Sequence, residues 1–360
     1  MMFSTKVHNR NKLVFVPDWS IHNPYQKLLY DEMKAAGISC YGLQGTDFTF
    51  SWIFKNRLNF KFIHLHWLHG IYNLHNSGLY WANLMTIALK IIFARLIGYN
   101  ILWTIHNIVP HDTANYNFEM ISRKIISKIV NIIIVHCDYA RNTVTKLWAI
   151  DSKKVKVVPH GSYIGYYPNN ISRSYARQIL NISDDQFTFL FFGLLRPYKG
   201  IKDLLISYSE VRKLKHNISL IIAGNPHNEI IRNEVESMAI TEGISLHLRH
   251  IQDNDVQLFF NACDIVVLPY LKFLTSGAAI LALSFGKPVI APAKACIPEL
   301  LDETTGFLYQ KQSELTMVMK KAATNAADIS QFSNNALNRA QELEWKKIVT
   351  DIFIPILKEL

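Results

Sequence analysis

Apolar residues in this chain come in short unbroken runs separated by longer stretches of helical period. In the first half the runs lie at 12–17, 38–43, 60–66, 100–106, 131–137 and 155–159. Helical patterns fill most of the gaps, at 24–36, 77–97, 118–129 and 138–148. A strand apolar on both faces must be covered on both faces, and strands joined through helices run parallel. A second series repeats the rhythm. Its strands are expected at 187–195, 219–224, 245–250, 265–269 and 288–292, and its helices at 201–214, 228–241, 253–262 and 277–285. Two helical segments, near 313–327 and 329–358, close the chain.

Between the two series, residues 160–186 lose the alternation and are rich in Gly, Asn, Ser and Tyr. This stretch reads as an interdomain linker with one short helix. The expected organisation is α/β throughout: a doubly wound, Rossmann-like domain over 1–165, a linker over 166–186 and a second such domain over 187–345. A terminal helix, 346–360, is placed to return to the first domain. In doubly wound sheets ligands bind beyond the carboxyl ends of the strands, so two such domains facing each other would make a cleft.

Length agrees with two domains, because single cores stop growing below 360 residues. A hydrophobic content of 49% with 18% charged residues excludes a disordered chain. The first residues carry no continuous apolar run before Leu13, so no signal peptide is expected. The most apolar span, 84–102, contains Lys90 and Arg95 and breaks at Gly98, so it reads as a helix and a strand, not a membrane crossing. The cysteines Cys40, Cys137, Cys263 and Cys296 form no C-x-x-C and are expected as buried free thiols of a reducing compartment.

The net charge of +10 lies wholly in the first half: residues 1–160 hold 18 Lys and Arg against 8 Asp and Glu, and residues 161–360 hold 20 of each. Lys55, Arg57, Lys61, Lys90, Arg95, Arg123, Lys124 and Lys128 are interleaved with Trp52, Phe54, Phe60 and Phe93. Such a mixture suits an anionic membrane surface. No helix-turn-helix, RRM-like or zinc-finger signature favours nucleic acid. Without a G-x-G-x-x-G, a plain dinucleotide-dependent oxidoreductase is not favoured.

The chemistry concentrates at strand ends. In "FLFFGLLRPYKGIKDLL" a buried strand stops at Gly193, and a loop bearing Arg196 and Lys199 leads through Gly200 into a helix. Two cations beside a helix N-terminus, with glycines that let a ligand approach, make a diphosphate site. In "FLTSGAAILALSFGKPVIAP" the helix after Ser276-Gly277 carries no charged residue, yet its first turn offers backbone N–H groups to an anion. In the first half, "WTIHNIVPHDTANYN" places His106, Asn107, His111 and Asp112 beyond a strand's carboxyl end, and "VPDWSIHN" does the same with Asp18 and His22. "FIHLHWLHGIYNLHNSG" sets His64 and His66 on one strand face. Packed, hydrogen-bonded rings fit that spacing better than a zinc site, and Trp67 and Tyr72 could stack on a glycan.

With these elements the sequence resembles the GT-B glycosyltransferases, and in particular glycosyltransferase family 4. The resemblance is carried by the strand–Gly–loop–Lys199-Gly200–helix element, "LIIAGNP", "HIQDNDVQLFFNACDIVVLPY", "SFGKPVIAP" and "TTGFLY", in that order, and by "VKVVPHG" before the crossover. It implies a donor-binding second domain. Gly193, Arg196 and Lys199 would meet the phosphates, Thr275, Ser276 and Gly277 the diphosphate, His250 and Ile251 the base, and Tyr270 the donor. Retaining members place two glutamates around the donor sugar and ribose; on the family pattern these positions fall on Phe273 and Leu281. The "TSG" instead resembles inverting members such as the bacterial exopolysaccharide β-mannosyltransferases.

Inversion needs a base on the acceptor hydroxyl. Asp112 is the first choice, with His111 and Asp18 as alternatives and His22, His106, Asn107 and Trp67 around the acceptor. The resemblance implies a UDP- or GDP-sugar donor and a lipid-diphosphate-linked saccharide acceptor. It implies no cofactor, because helix dipoles and cations can replace a metal at the leaving diphosphate. The location implied is cytoplasmic, on the inner face of the membrane, in surface polysaccharide assembly. A retaining enzyme of the same fold and an inactive scaffold relative remain alternatives.

Overall fold

The computed structural model describes residues 12–71, 79–109, 115–325 and 329–360. The chain forms two compact units: one runs to Pro159 and takes back Trp345–Leu360, and the other is His160–Glu344.

The first unit holds strands β1 (Lys12–Val16), β2 (Ser39–Gly42), β3 (Phe62–Leu65), β4 (Asn100–Thr104), β5 (Ile132–Val135) and β6 (Val155–Val157). They pair in parallel in the order β2-β1-β3-β4-β5-β6. Both faces are covered, and Leu13, Phe15, Ile63, Leu65 and Ile134 are fully buried. Each apolar run overshoots its strand by a residue or two at the carboxyl end, where the chain leaves the sheet. The helix Pro24–Ala35 begins with proline in its first turn and with Asn23 accepting from Gln26 N at 3.2 Å. Asn115 likewise caps Tyr116–Ile129, accepting from Phe118 N at 3.0 Å, which sets that start two residues before the expected one. The helix Phe50–Lys55 is too short to show a period in sequence. Trp345, Ile348, Val349, Phe353, Ile356 and Leu357 bury among Tyr25, Leu29 and Met33 of this unit.

The expected helix at 329–358 is not continuous. It runs as Ile329–Glu342, Trp345–Lys347, a π-helical Ile348–Phe353 and Ile354–Lys358. The break at Leu343-Glu344 is where the chain passes from one core to the other.

The second unit holds β7 (Phe187–Phe192), β8 (Ile218–Ala223), β9 (Ile244–His247), β10 (Ile265–Val267), β11 (Val289–Pro292) and β12 (Gly306–Tyr309), in the parallel order β12-β11-β10-β7-β8-β9. The strand β12 has no forerunner in the sequence reading; four residues with a glycine show no pattern until β11 pairs with them. The stretch 166–186 is not a loose tether. Arg177, 1% exposed, donates Nε to Ala262 O at 3.0 Å and Nη2 to Asp264 Oδ2 at 3.0 Å. Its Nη1 reaches Ser183 O and Gln186 O. One satisfied guanidinium thus fastens the helix Arg173–Ile179 to the unit.

Cys40 and Cys263 are buried free thiols, and burial pushes both thiols up to about 12. Cys137 and Cys296 are not free thiols, against the sequence expectation. Arg123 also departs from expectation. It is 4% exposed and paired with Glu119 on the same helix, so it does not belong to the basic surface. Its i,i+4 spacing to a carboxylate lets the guanidinium be buried as a pair.

Candidate active site

In the second unit the carboxyl ends of β7, β8 and β10 come together through glycine. Gly224 has φ +152°, and a Cβ there would lie 1.8 Å from Gly193 O. Gly200 has φ +70°, and a Cβ there would lie 2.0 Å from Pro269 O. Only glycine permits both the backbone angle and the approach. The loop from Gly193 to Gly200 is therefore pressed onto the ends of β8 and β10. Leu195 N donates to Asn225 O at 3.0 Å, and Leu271 N donates to Tyr198 O at 2.9 Å. By contrast, a Cβ on Gly193 would meet nothing within 4 Å, so space opens in front of that residue.

This folding seats Lys199. Its ammonium lies 3.7 Å from the centre of the Tyr270 ring, within cation–π range. Tyr270 is 2% exposed, and its hydroxyl has no hydrogen-bond partner among the described residues. Phe273 packs against Tyr270 with ring centres 5.7 Å apart. The position that carries a glutamate in the family pattern thus belongs to an aromatic seat for a cation. Leu281, the other such position, is buried in the core. Arg196 is half-buried and lines a hollow with Ile201, Leu205, Ile231 and Val235.

The helix Gly277–Ser284 starts as the sequence suggests. Ser276 Oγ accepts from Ala279 N at 3.2 Å, and the residue is 6% exposed. Thr275 is half-buried just before it. A Cβ on Gly277 would lie 3.2 Å from the Tyr163 hydroxyl. That hydroxyl is 3.3 Å from His160 Nε2. His160 Nδ1 donates to Gly161 O at 2.8 Å, so in the neutral ring Nε2 accepts and Tyr163 donates. Tyr163 and His160 were not singled out in the sequence, since they lie in the stretch read as a linker. His250 is exposed and Ile251 buried on the loop after β9, with Arg249 reaching Asp255 Oδ2 at 3.5 Å.

In the first unit, Asp18 follows β1, and its Oδ1 accepts from Ser20 N at 3.0 Å and Ser20 Oγ at 2.6 Å. Its other oxygen lies against Gly42, where a Cβ would come within 1.6 Å. The carboxylate is built into the turn. His22 is exposed. His111 and Asp112 lie outside the described residues, as does Tyr72.

His106 and Asn107 follow β4 and line a small open cavity of about 30 Å³ with His66, Trp67, His69, Thr104 and Arg123. Trp67 stacks on His106 with centres 4.4 Å apart and planes 14° apart, and Trp19 stacks on Trp67 at 4.9 Å. These stacks take up ring faces of Trp67 and His106, so what the cavity offers a ligand is chiefly polar ring edges. His64 is buried behind this surface, and His66, though 1% exposed, meets the cavity wall. His64 Nε2 is 2.7 Å from Thr104 Oγ1, and burial pushes its pKa down to about 3. Among the described residues no three His, Cys, Asp or Glu groups are arranged to hold a metal ion.

Comparison with known proteins bears on both units. A family model described as glycosyl transferases group 1 matches residues 172–339. A GDP-mannose:glycolipid 4-beta-D-mannosyltransferase of Xanthomonas campestris pv. campestris is 26% identical over 326 residues, covering 88% of this chain and 81% of the relative. A lipopolysaccharide 1,2-N-acetylglucosaminetransferase of Salmonella typhimurium is 30% identical over 162 residues, 42% of each chain. Among solved structures, Anabaena HepE in complex with UDP-glucose superposes with a TM-score of 0.75 at 15% identity, covering 97% of this chain and 100% of that one.

Proposed function

Because the chain is a GT-B, family 4-like glycosyltransferase that uses a nucleotide sugar, we propose that it moves a hexose from GDP- or UDP-sugar to a lipid-linked saccharide, with inversion. The observation that carries this reading is the likeness to the Xanthomonas glycolipid mannosyltransferase along 88% of the chain. GDP-mannose is accordingly the first donor to test. Inversion is supported by Phe273 and Leu281, which offer no carboxylate on the donor side.

The donor diphosphate sits in front of Gly193, against Lys199 on its Tyr270 seat and the N–H groups at Ser276 and Gly277. Arg196 adds positive charge, and His250 and Ile251 meet the base. As the anomeric bond breaks, charge grows on the diphosphate, and a helix dipole and an ammonium would stabilise it there. No metal is required on this account. The acceptor occupies the Trp67, His106 and Asn107 surface, with His22 one turn from Trp19, which stacks on Trp67. A base of the first unit takes the hydroxyl proton; the sequence pattern offers Asp112, His111 and Asp18.

A lipid-linked acceptor brings the enzyme to a membrane. Among the described residues no helix is long and apolar enough to cross one. The helix Tyr80–Leu96 instead exposes Trp81, Met85, Leu89 and Leu96, and Phe50 and Phe54 are exposed on the helix Phe50–Lys55. Lys55, Arg95, Lys124 and Lys128 are exposed among them. We read this as a face for the anionic inner leaflet in surface polysaccharide assembly. A thermal-shift panel of GDP-, UDP- and dTDP-sugars with EDTA present tests the donor claim. One donor should raise Tm by several degrees at saturation. No response to any would refute it.

A further inference from the structure

His66 follows β3, His106 follows β4 and His136 follows β5, and these strands are neighbours in the sheet. Parallel pairing sets their exits side by side, so the three rings meet. His66 Nδ1 lies 3.3 Å from His106 Nε2, and His106 Nδ1 lies 3.4 Å from His136 Nε2. The row ends at Val158, just after β6, whose carbonyl is 2.9 Å from His136 Nδ1.

A carbonyl only accepts, so this last contact gives the row a direction. His136 Nδ1 must carry a proton and donate it. Burial keeps the ring neutral: it is 8% exposed, and its pKa is pushed down to about 4. A neutral His136 therefore offers Nε2 as an acceptor, and His106 Nδ1–H donates to it. His106 Nε2 is left with a lone pair, facing the Nδ1–H of His66. His66 is buried, which holds it well below the usual histidine range. His106 is the partly exposed member and lines the cavity with Trp67 and Asn107. Trp67 stacks on its face, and Tyr25 meets its ring edge-on at 4.9 Å. At 3.3 and 3.4 Å both ring contacts of His106 are long for hydrogen bonds; of the two partners only His66 lines the cavity, so its contact is the one a sugar hydroxyl can displace.

Resting on the glycosyltransferase reading, we propose that His136 is a positioning residue: with the Val158 carbonyl behind it, it holds His106 as the Nδ1–H tautomer, so that His106 Nε2 takes the proton of the acceptor hydroxyl. In the transfer step the hydroxyl O–H bond breaks and its proton passes to Nε2. The oxygen electron pair forms the bond to the anomeric carbon. The bond from that carbon to the diphosphate oxygen breaks, and its pair leaves with the diphosphate. The His106 imidazolium keeps its Nδ1–H bond to His136. The opposite tautomer would present an N–H to the hydroxyl and could not take the proton.

The test uses the full chain with histidine-selective ¹⁵N labelling and a donor-to-glycolipid transfer assay. At pH 7.5 the His106 and His136 rings should both read as neutral Nδ1–H tautomers, and His136→Leu should release His106 from that form. His136→Leu should lower kcat about 100-fold with donor KM within about twofold. His136→Gln, whose side-chain carbonyl can accept from His106, should recover about tenfold of that loss. The Gln variant and its thermal unfolding separate lost positioning from lost folding. A His106 ring that reads as Nε2–H in the wild type overturns the proposal. So does His106→Asn with near-normal turnover while Asp112→Asn abolishes it. Should the wild type transfer no sugar at all, the transferase reading fails, while the spectra still decide the tautomer claim.

Discussion

Among the described residues Lys199 is held by a ring, not by a carboxylate. An ammonium on an aromatic face keeps its full charge for an incoming anion, whereas one neutralised by a glutamate would not. Tyr270→Phe keeps the face and removes a buried hydroxyl that has no partner among the described residues. It should leave nucleotide affinity unchanged and stability equal or up to about 1 kcal/mol higher. Tyr270→Leu removes the face and should weaken nucleotide binding several-fold, by about 0.5–2 kcal/mol. Calorimetric titration with denaturant melts of both variants checks this; equal affinity in all three proteins would mean the ring does not seat the cation. The sequence showed the cation but not its seat. Lys199, Gly200 and Ser276 stand in local patterns, a βα loop and a helix start, that one stretch of chain reveals. Tyr270 reaches Lys199 only because β10 pairs beside β7. His136 had a readable signal: it stands at the carboxyl end of its apolar run as His106 does. Its meaning came only with Val158.

At the scale of elements, the donor loop depends on two glycines more than on its side chains. Gly200→Ala would combine a φ of +70° with a Cβ 2.0 Å from Pro269 O. Backbone must then move, and the loop that carries Lys199 moves with it. We expect destabilisation of a few kcal/mol and loss of nucleotide binding. Gly193→Ala meets no neighbour and should cost stability only through its φ of +126°. Chemical denaturation of the pair tests the contrast. Strand and helix order was legible because unbroken apolar runs admit few alternatives. The short helix Phe50–Lys55 and the strand β12 were not, since neither spans enough residues for a period. The stretch 166–186 has its expected short helix, Arg173–Ile179, but its polar composition hides one buried arginine, Arg177, that anchors it. Arg177→Ala leaves Asp264 paired with Arg173 and Thr188 N but takes the donor from the Ser183, Gln186 and Ala262 carbonyls, and should cost a few kcal/mol.

The whole molecule should respond to acid through its histidines. His64 and His136 have folded pKa values near 3 and 4, against 6.5 when unfolded, because burial opposes their charged forms. Below about pH 6.5 the unfolded chain therefore binds protons that the folded chain refuses. Stability is full above that pH and falls as pH drops toward 4, by about 2 kcal/mol per ring at pH 5. Melts from pH 8 to 4.5 should show this decline, and His136→Gln should flatten it. The exposed apolar and basic face gives a second molecular prediction. Vesicles with anionic lipid should sediment the protein and neutral ones should not, and Trp81→Ser with Leu96→Ser should weaken that binding about tenfold.

The central claim is that the donor's diphosphate is held by Lys199 and the opening turn of the Gly277–Ser284 helix, without a metal. The most direct measurement is calorimetric titration of GDP and UDP, in EDTA, into the wild type and Lys199→Met. The account predicts that one nucleotide binds the wild type and that the variant binds it at least about tenfold more weakly, as expected for a lost charge-assisted contact. Equal affinities, or binding that returns only when a divalent cation is added, would contradict it.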